Sequence, residues 1–275
     1  MRSIQIVCDS TAGFTREEIE AMNLIVVPLS IQLNGEFMEE STPDAYGDVY
    51  EKISLSKTPV TTSQPSASRF QEVFENALSL GRDVVGVFFS AAMSGTCGAA
   101  EVAAAQTDAG RVTIVDSQTG IANLKSLVTT AWQSAQQGLS AVQIKERVEQ
   151  CRQRMSIVFT VGDLLYLRRG GRLSNSQYFV GKLLNILPLL VVREGKITPQ
   201  AKIRGEKAMM SALLKSAPQN TTCITMLHIN NEPASEALRA QLLQRFPGLT
   251  IGIAAISPVM GVHLGPGSFG YAFEW

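Results

Sequence analysis

The chain has 275 residues and a mass of 29.7 kDa, with 45% hydrophobic and 17% charged residues. That balance excludes a disordered or fibrous protein and leaves room for one large or two medium domains. Its 24 Lys+Arg offset its 24 Asp+Glu, so no net field draws it to nucleic acid or an anionic membrane.

In chain order, Ile4–Cys8 reads as a strand, followed by Asp9-Ser10-Thr11 and a helix near Thr15–Met22 with Glu17 and Glu18 in its first turn. Leu24–Leu33 is extended, and Asn34-Gly35 signals a hairpin. Thr42-Pro43 opens a helix toward Ile53; Lys57–Pro65 is an extended loop before a helix over Ala67–Leu80. The apolar run Val84–Phe89 predicts a strand covered on both faces, with helix Ala99–Gln106 and a second buried strand, Val112–Val115, after it. Helices follow near Ile121–Gln137 and Ala141–Arg154, the latter capped by Ser140. Repeated strand–loop–helix units predict a largely parallel sheet flanked by helices. Beyond Arg154 come strand Ile157–Val161, a short helix Leu164–Gly171, a helix over Asn175–Leu184, and a hairpin of Ile186–Val192 with Lys196–Ile203 around Glu194-Gly195. Helix Glu206–Lys215, strand Thr222–Ile229, helix Ala234–Phe246 and strand Thr250–Ile256 complete the pattern, before a glycine-rich, then aromatic tail, His263–Trp275. The expected architecture is two α/β domains, 1–157 and 158–275, with a ligand cleft between them.

No apolar stretch approaches the roughly 20 residues that cross a bilayer. The start MRSIQIVCDS lacks a cleavage-site pattern, and Cys8, Cys97, Cys151 and Cys223 lack metal-binding spacing. A reduced cytoplasmic protein without metal or cofactor is expected.

Small hydroxyl residues gather at helix starts in Thr61-Thr62-Ser63-Gln64-Pro65-Ser66 and in Ser94-Gly95-Thr96-Cys97-Gly98. Hydroxyls and helix-end amides hold an anion without a salt bridge, although from the spacing alone Thr62, Ser66 and Ser94 read more readily as plain helix caps. Ser94 lies in A-M-S-G-T, a poor nucleophile elbow, and no phosphate-binding glycine loop follows a strand. His228 and His263 are the two imidazoles; His263 precedes Leu264-Gly265-Pro266-Gly267, whose backbone can approach a ligand closely. Arg168-Arg169-Gly170-Gly171-Arg172 is either a solvated helix end or a docking patch or anion-binding loop. Asp9 and Asp116, each followed by Ser, read as turn caps more readily than as a Mg²⁺ pair. Leu183–Leu190 is core, or the lining for a long apolar ligand.

Together these segments resemble the DegV family of bacterial fatty-acid-binding proteins. The match runs through Asp9-Ser10-Thr11, Thr62-Ser63-Gln64-Pro65-Ser66, Ser90-x-x-Met93-Ser94-Gly95-Thr96 and Val115-Asp116-Ser117. It continues through Leu167-x-x-Gly170-Gly171-Arg172-Leu173-Ser174, Leu184-Asn185-Ile186-x-Pro188, Lys202-x-Arg204 and His263-x-Gly265-Pro266-Gly267. The resemblance implies a long-chain, palmitate-like fatty acid in an inter-domain tunnel, and a lipid carrier of fatty acid metabolism that presents the acyl carboxylate to a partner fatty-acid kinase. Its carboxylate contacts fall on Thr62, Ser94 and the Gly95 amide, with His263 near the head group; Arg172 and Arg204 are head-group or partner contacts. Transient membrane contact is compatible with this role and nucleic acid is not a partner. Cys97-Gly98 and Gly120-Ile121 depart from the family pattern.

The energetics agree. An acyl chain of about 14 methylenes gains on the order of 11 kcal/mol gross on burial, before association costs. The carboxylate must then find donors, or its burial cancels much of that gain. Two rivals remain: a small-carbonyl-binding enzyme related to dihydroxyacetone kinase, using His263, and a Ser94/His263 hydrolase.

Overall fold

Val7, Val84, Val85, Val87 and Phe88 are all fully buried, which requires cover on both faces of the strands that carry them. The computed structural model, which describes residues 3–174 and 186–275, supplies that cover. The helix expected over Asn175–Leu184 lies outside the described residues.

The chain divides into two units, Met1–Gln153 with Ser257–Val259, and Arg154–Ile256 with Met260–Trp275. The first opens with β1 (Ile4–Asp9) and α1 (Arg16–Met22), whose cap Thr15 exchanges bonds with Glu18 in a capping box. Then come β2 (Ile25–Val27), β3 (Ser30–Leu33), β4 (Glu36–Glu39), α2 (Tyr46–Leu55), β5 (Thr61–Ser63) and α3 (Ala67–Ser79). The unit continues through β6 (Asp83–Phe88), α4 (Thr96–Thr107), β7 (Val112–Asp116), α5 (Ile121–Gln136) and α6 (Ala141–Arg152).

Its main sheet has the order β2-β1-β6-β7, every pair parallel. Val7, Val84 and Phe88 turn toward Phe70 and Phe74 of α3 and Ala100 and Ala103 of α4. Ile6, Val85 and Val87 have the opposite parity and are equally buried, while α5 and α6 pack on the same strands. Because the strands are parallel, Asp9, Phe88 and Asp116 all end at one edge, where ligands of open α/β sheets gather. A small antiparallel sheet, β4-β3-β5, sets Thr62 opposite Ile31.

The run Leu24–Leu33 is thus two strands in different sheets, because Pro28 cannot continue the ladder. The loop expected over Lys57–Pro65 contains β5.

The second unit comprises β8 (Met155–Thr160), α7 (Leu164–Arg169), β9 (Ile186–Arg193), β10 (Lys196–Arg204), α8 (Glu206–Ser216), β11 (Cys223–His228), α9 (Glu232–Arg245), β12 (Ile251–Ala255), α10 (Pro258–Leu264) and β13 (Phe269–Glu274). Two residues of α10, Pro258 and Val259, belong to the first unit. The sheet order is β10-β9-β8-β13-β11-β12, antiparallel except for β11 with β12. Its core joins Val158, Ile224, Met226 and Tyr271 to Met209 and Leu213 of α8 and Leu238 and Leu242 of α9. The fully buried Tyr271 hydroxyl donates to Leu213 O at 2.6 Å and accepts from Ala217 N–H at 3.0 Å, fastening the end of α8. Leu187 and Leu189 join this core, so packing accounts for them; Leu183 and Leu184 lie outside the described residues.

Candidate functional site

In the first unit the loop from Ser90 to Gly95 is gripped from two sides. Asp9 Oδ2 accepts from Phe89 N–H at 2.6 Å, while its Oδ1 accepts from Thr11 N–H at 3.0 Å. Asp116 Oδ1 accepts from Ala91 N–H at 3.1 Å and Gln118 N–H at 2.9 Å. Both carboxylates thus act as loop fasteners, the capping role their strand-end positions predict. Burial raises the Asp9 pKa, and the bonds from Phe89 and Thr11 pull it back. The loop closes on itself as Met93 and Ser94 N–H both donate to Ser90 O at 3.0 Å.

Ser94 Oγ accepts from Thr96 N–H at 3.3 Å and lies 2.8 Å from Thr96 Oγ1, so it forms a hydroxyl turn at the entry to α4. The N-cap itself is Gly95, which has no side chain to satisfy the first amides of that helix. A Cβ on Gly95 would come within 2.7 Å of the Gln64 carboxamide carbon. That contact sets Gln64, two residues beyond Thr62, against Gly95, and it explains the glycine. Thr62 is half-buried in β5; Ser66 instead caps α3, accepting from Arg69 N–H at 3.2 Å. Of the three hydroxyls read as either caps or ligand contacts, Ser66 is the plain cap.

The two departures from the family pattern lie at the starts of α4 and α5. Cys97 is buried in the core, its thiol pushed up to about 12 chiefly by desolvation, which makes it inert. Gly120 lies where a Cβ would approach Phe89 Cδ2 to 2.8 Å, and Ile121 begins α5 at φ 52°, an uncommon conformation for a β-branched residue.

In the second unit His263 occupies the last turn of α10. A Cβ on Gly170 would meet the His263 ring, 3.3 Å from Cε1, so Gly170-Gly171-Arg172 is drawn against the imidazole. Burial, then the Arg172 guanidinium, lowers the His263 pKa to about 4. At neutral pH the ring is uncharged, and Arg172 carries the charge of this pair. Gly265 and Gly267 take φ of 75° and 79°, which favours glycine at both. Gly265 lies under the Tyr166 ring, where a Cβ would be 2.6 Å from Cγ. Asn231 Nδ2 donates to Gly267 O at 3.0 Å, and the Ser268 hydroxyl lies within bonding distance of Leu264 O and Gly265 O.

Gln64 therefore ties the segment that carries Thr62 to Gly95 beside Ser94, and Gly170 ties the segment that carries Arg172 to His263. Arg204 is exposed at the end of β10, opposite Ile186; among the described residues no hydrogen bond or ion pair joins it to Arg172 or His263. Gln64 and Tyr166 were not distinguishable by residue type: each acts through a glycine far along the chain, and only the short runs T-S-Q-P-S and G-P-G hint at such an approach. Among the described residues no group of three His, Cys, Asp or Glu could hold a metal ion, and no helix is long and apolar enough to cross a membrane.

Residues 3–275 match the family model DegV, described as an uncharacterised protein family. A DegV domain-containing protein of Halalkalibacterium halodurans is 32% identical over 279 residues, covering 99% of both chains. A solved structure described as fatty acid binding of a DegV family protein from Thermus thermophilus superposes with a TM-score of 0.87 at 29% identity, covering 99% of each chain. A fatty acid binding DegV family protein from Streptococcus agalactiae gives a TM-score of 0.87 at 25% identity, over 100% of this chain and 99% of that one.

Proposed function

The chain belongs to the DegV family, and from that premise we propose that it binds a long-chain, palmitate-like fatty acid, with Thr62, Ser94 and the Gly95 amide holding the carboxylate. The observation that supports this reading is the approach of Gln64, two residues beyond Thr62, to Gly95 at the entry of α4. Hydroxyl and amide donors are enough to hold a carboxylate when the acyl tail supplies the affinity. Fatty acid binding by the relatives from T. thermophilus and S. agalactiae supports the choice of ligand.

The protein acts as a cytoplasmic carrier rather than an enzyme, and presents the carboxylate to a partner fatty-acid kinase that performs the phosphoryl transfer. His263, uncharged at neutral pH, is a head-group donor; Arg172 and Arg204 are contacts for the head group or the partner. The carboxylate held by neutral groups keeps an oxygen available to that partner.

Thr62→Ala with Ser94→Ala tests the site. Delipidated wild-type protein is expected to retake labelled palmitate, and the double variant to lose it at least tenfold faster with an unchanged circular dichroism spectrum. Equal retention by both proteins rejects the assignment. Native mass spectrometry of the freshly extracted protein should show a C14–C18 acid; an empty protein that labels with a covalent serine probe would favour a hydrolase instead.

A further inference from the structure

Glu40 is a buried carboxylate outside the proposed head-group site whose bonds reach far from its own segment. It follows β4, is 6% exposed, and its oxygens accept from three partners. Oε2 accepts from the Ser10 hydroxyl at 2.7 Å, and Oε1 accepts from Val259 N–H at 2.8 Å. The Ser257 side chain also donates to it. Tyr50 of α2 adds a bond from its hydroxyl to Ser257 O at 3.2 Å. These bonds explain why Ser257–Val259 belongs to the first unit although the residues on either side belong to the second.

We infer that Glu40 is a positioning residue: its buried carboxylate pins the first turn of α10, the helix that carries His263 in its last turn, and so governs how firmly that helix is held. The consequence for the ligand rests on the fatty-acid reading above; the pin itself does not.

The groups around Glu40 make the pin sensitive to protons. Asp9 at the end of β1 repels it, Ser10, Ser257 and Val259 N–H donate to it, and Tyr46 and Tyr50 face it from α2. The Tyr46 hydroxyl is buried and has no hydrogen-bond partner among the described residues. Desolvation outweighs the donated bonds and raises the Glu40 pKa from 4.5 to about 7. When the α10 start lifts away, water reaches the carboxylate and its affinity for the proton falls. Between those two values the docked form holds a proton that the undocked form lacks. Acid therefore favours docking, and the advantage is lost as pH rises through about 7. Glu40→Gln keeps an acceptor for Val259 N–H and removes the titration.

Hydrogen exchange of the α10 amides in the full-length protein, corrected for intrinsic rates, tests the pin at pH 5.5 and 8. Wild type is expected to open roughly tenfold more often at the higher pH, and Glu40→Gln equally at both. Glu40→Ala should expose these amides at both pH values while β1 and β6 stay protected. The same pH slope in Glu40→Gln as in wild type, or wild-type protection in Glu40→Ala, overturns the proposal. Labelled palmitate should leave wild type faster at pH 8 than at 5.5, and leave Glu40→Gln at a rate whose pH ratio is smaller. The ligand's carboxyl and His263 titrate in both proteins, so the difference isolates Glu40. Absence of palmitate uptake by wild type would defeat the fatty-acid reading alone, since exchange still decides the pin.

Discussion

Asp9 shows how much a single side chain can organise. One oxygen closes the turn at Thr11 and the other reaches Phe89 N–H, so one carboxylate holds both its own strand end and the loop that carries Ser94. Asp9→Ala would strand those buried amides and should destabilise the protein by about 3 kcal/mol in urea titrations. Asp9→Asn, which retains one acceptor, should cost about half as much. The capping half of this role was legible in the sequence, because Asp-Ser-Thr after a strand is turn chemistry. The reach to Phe89 was not, since hydrogen bonds between distant segments leave no local spacing to read. The same holds for Gln64 and Glu40, which carry no mark of their partners at Gly95 and Val259.

At the scale of elements, the turns and the parallel strands were the most readable features. Asn34-Gly35 and Glu194-Gly195 both take positive φ at each position, the geometry that two-residue hairpins demand. The run Val84–Phe89 announced a strand buried on both faces, and β6 is that strand. The C-terminal segment was opaque. Pro258 and Gly261 disguised α10, and the Gly265-Pro266-Gly267 stretch made the tail look irregular, yet β13 runs through the middle of the second sheet. Its Gly270 is the reason two backbones approach so closely: a Cβ there would lie 2.5 Å from Phe159 Cα. Backbone, unlike a flexible side chain, cannot yield. Gly270→Ala should therefore separate β13 from β8 and cost at least about 3 kcal/mol, comparable to severe core overpacking. Loss of soluble expression or a large drop in the thermal midpoint would register it, whereas Gly252→Ala on β12, in open space and without a positive φ, should cost much less.

At the scale of the whole molecule, the two units carry opposite pH responses. Glu40 in the first has its pKa raised from 4.5 to about 7, so its contribution is complete below 4.5 and lost as pH rises through about 7. His263 in the second has its pKa lowered from 6.5 to about 4, so its contribution is complete above 6.5 and lost as pH falls through about 4. Each is worth up to about 3 kcal/mol, and over the shared interval they oppose. The two tryptophans separate them, because Trp132 belongs to the first unit and Trp275 to the second. In variants that keep one tryptophan, unfolding followed at Trp132 should become easier from pH 5 to 7, and unfolding followed at Trp275 harder. Parallel trends at both positions would contradict the assignments.

The excursion of Ser257–Val259 into the first unit also sets a timetable for biosynthesis. A ribosome delivers residues 1–153 first, but Ser257 and Val259, which bond Tyr50 and Glu40, follow only after residues 154–256 of the second unit. Until then a nascent chain holds a polar notch that water must fill, open to proteases and chaperones. A stop codon placed shortly before residue 257 would leave that notch permanently vacant, even though the parallel sheet itself had been made in full.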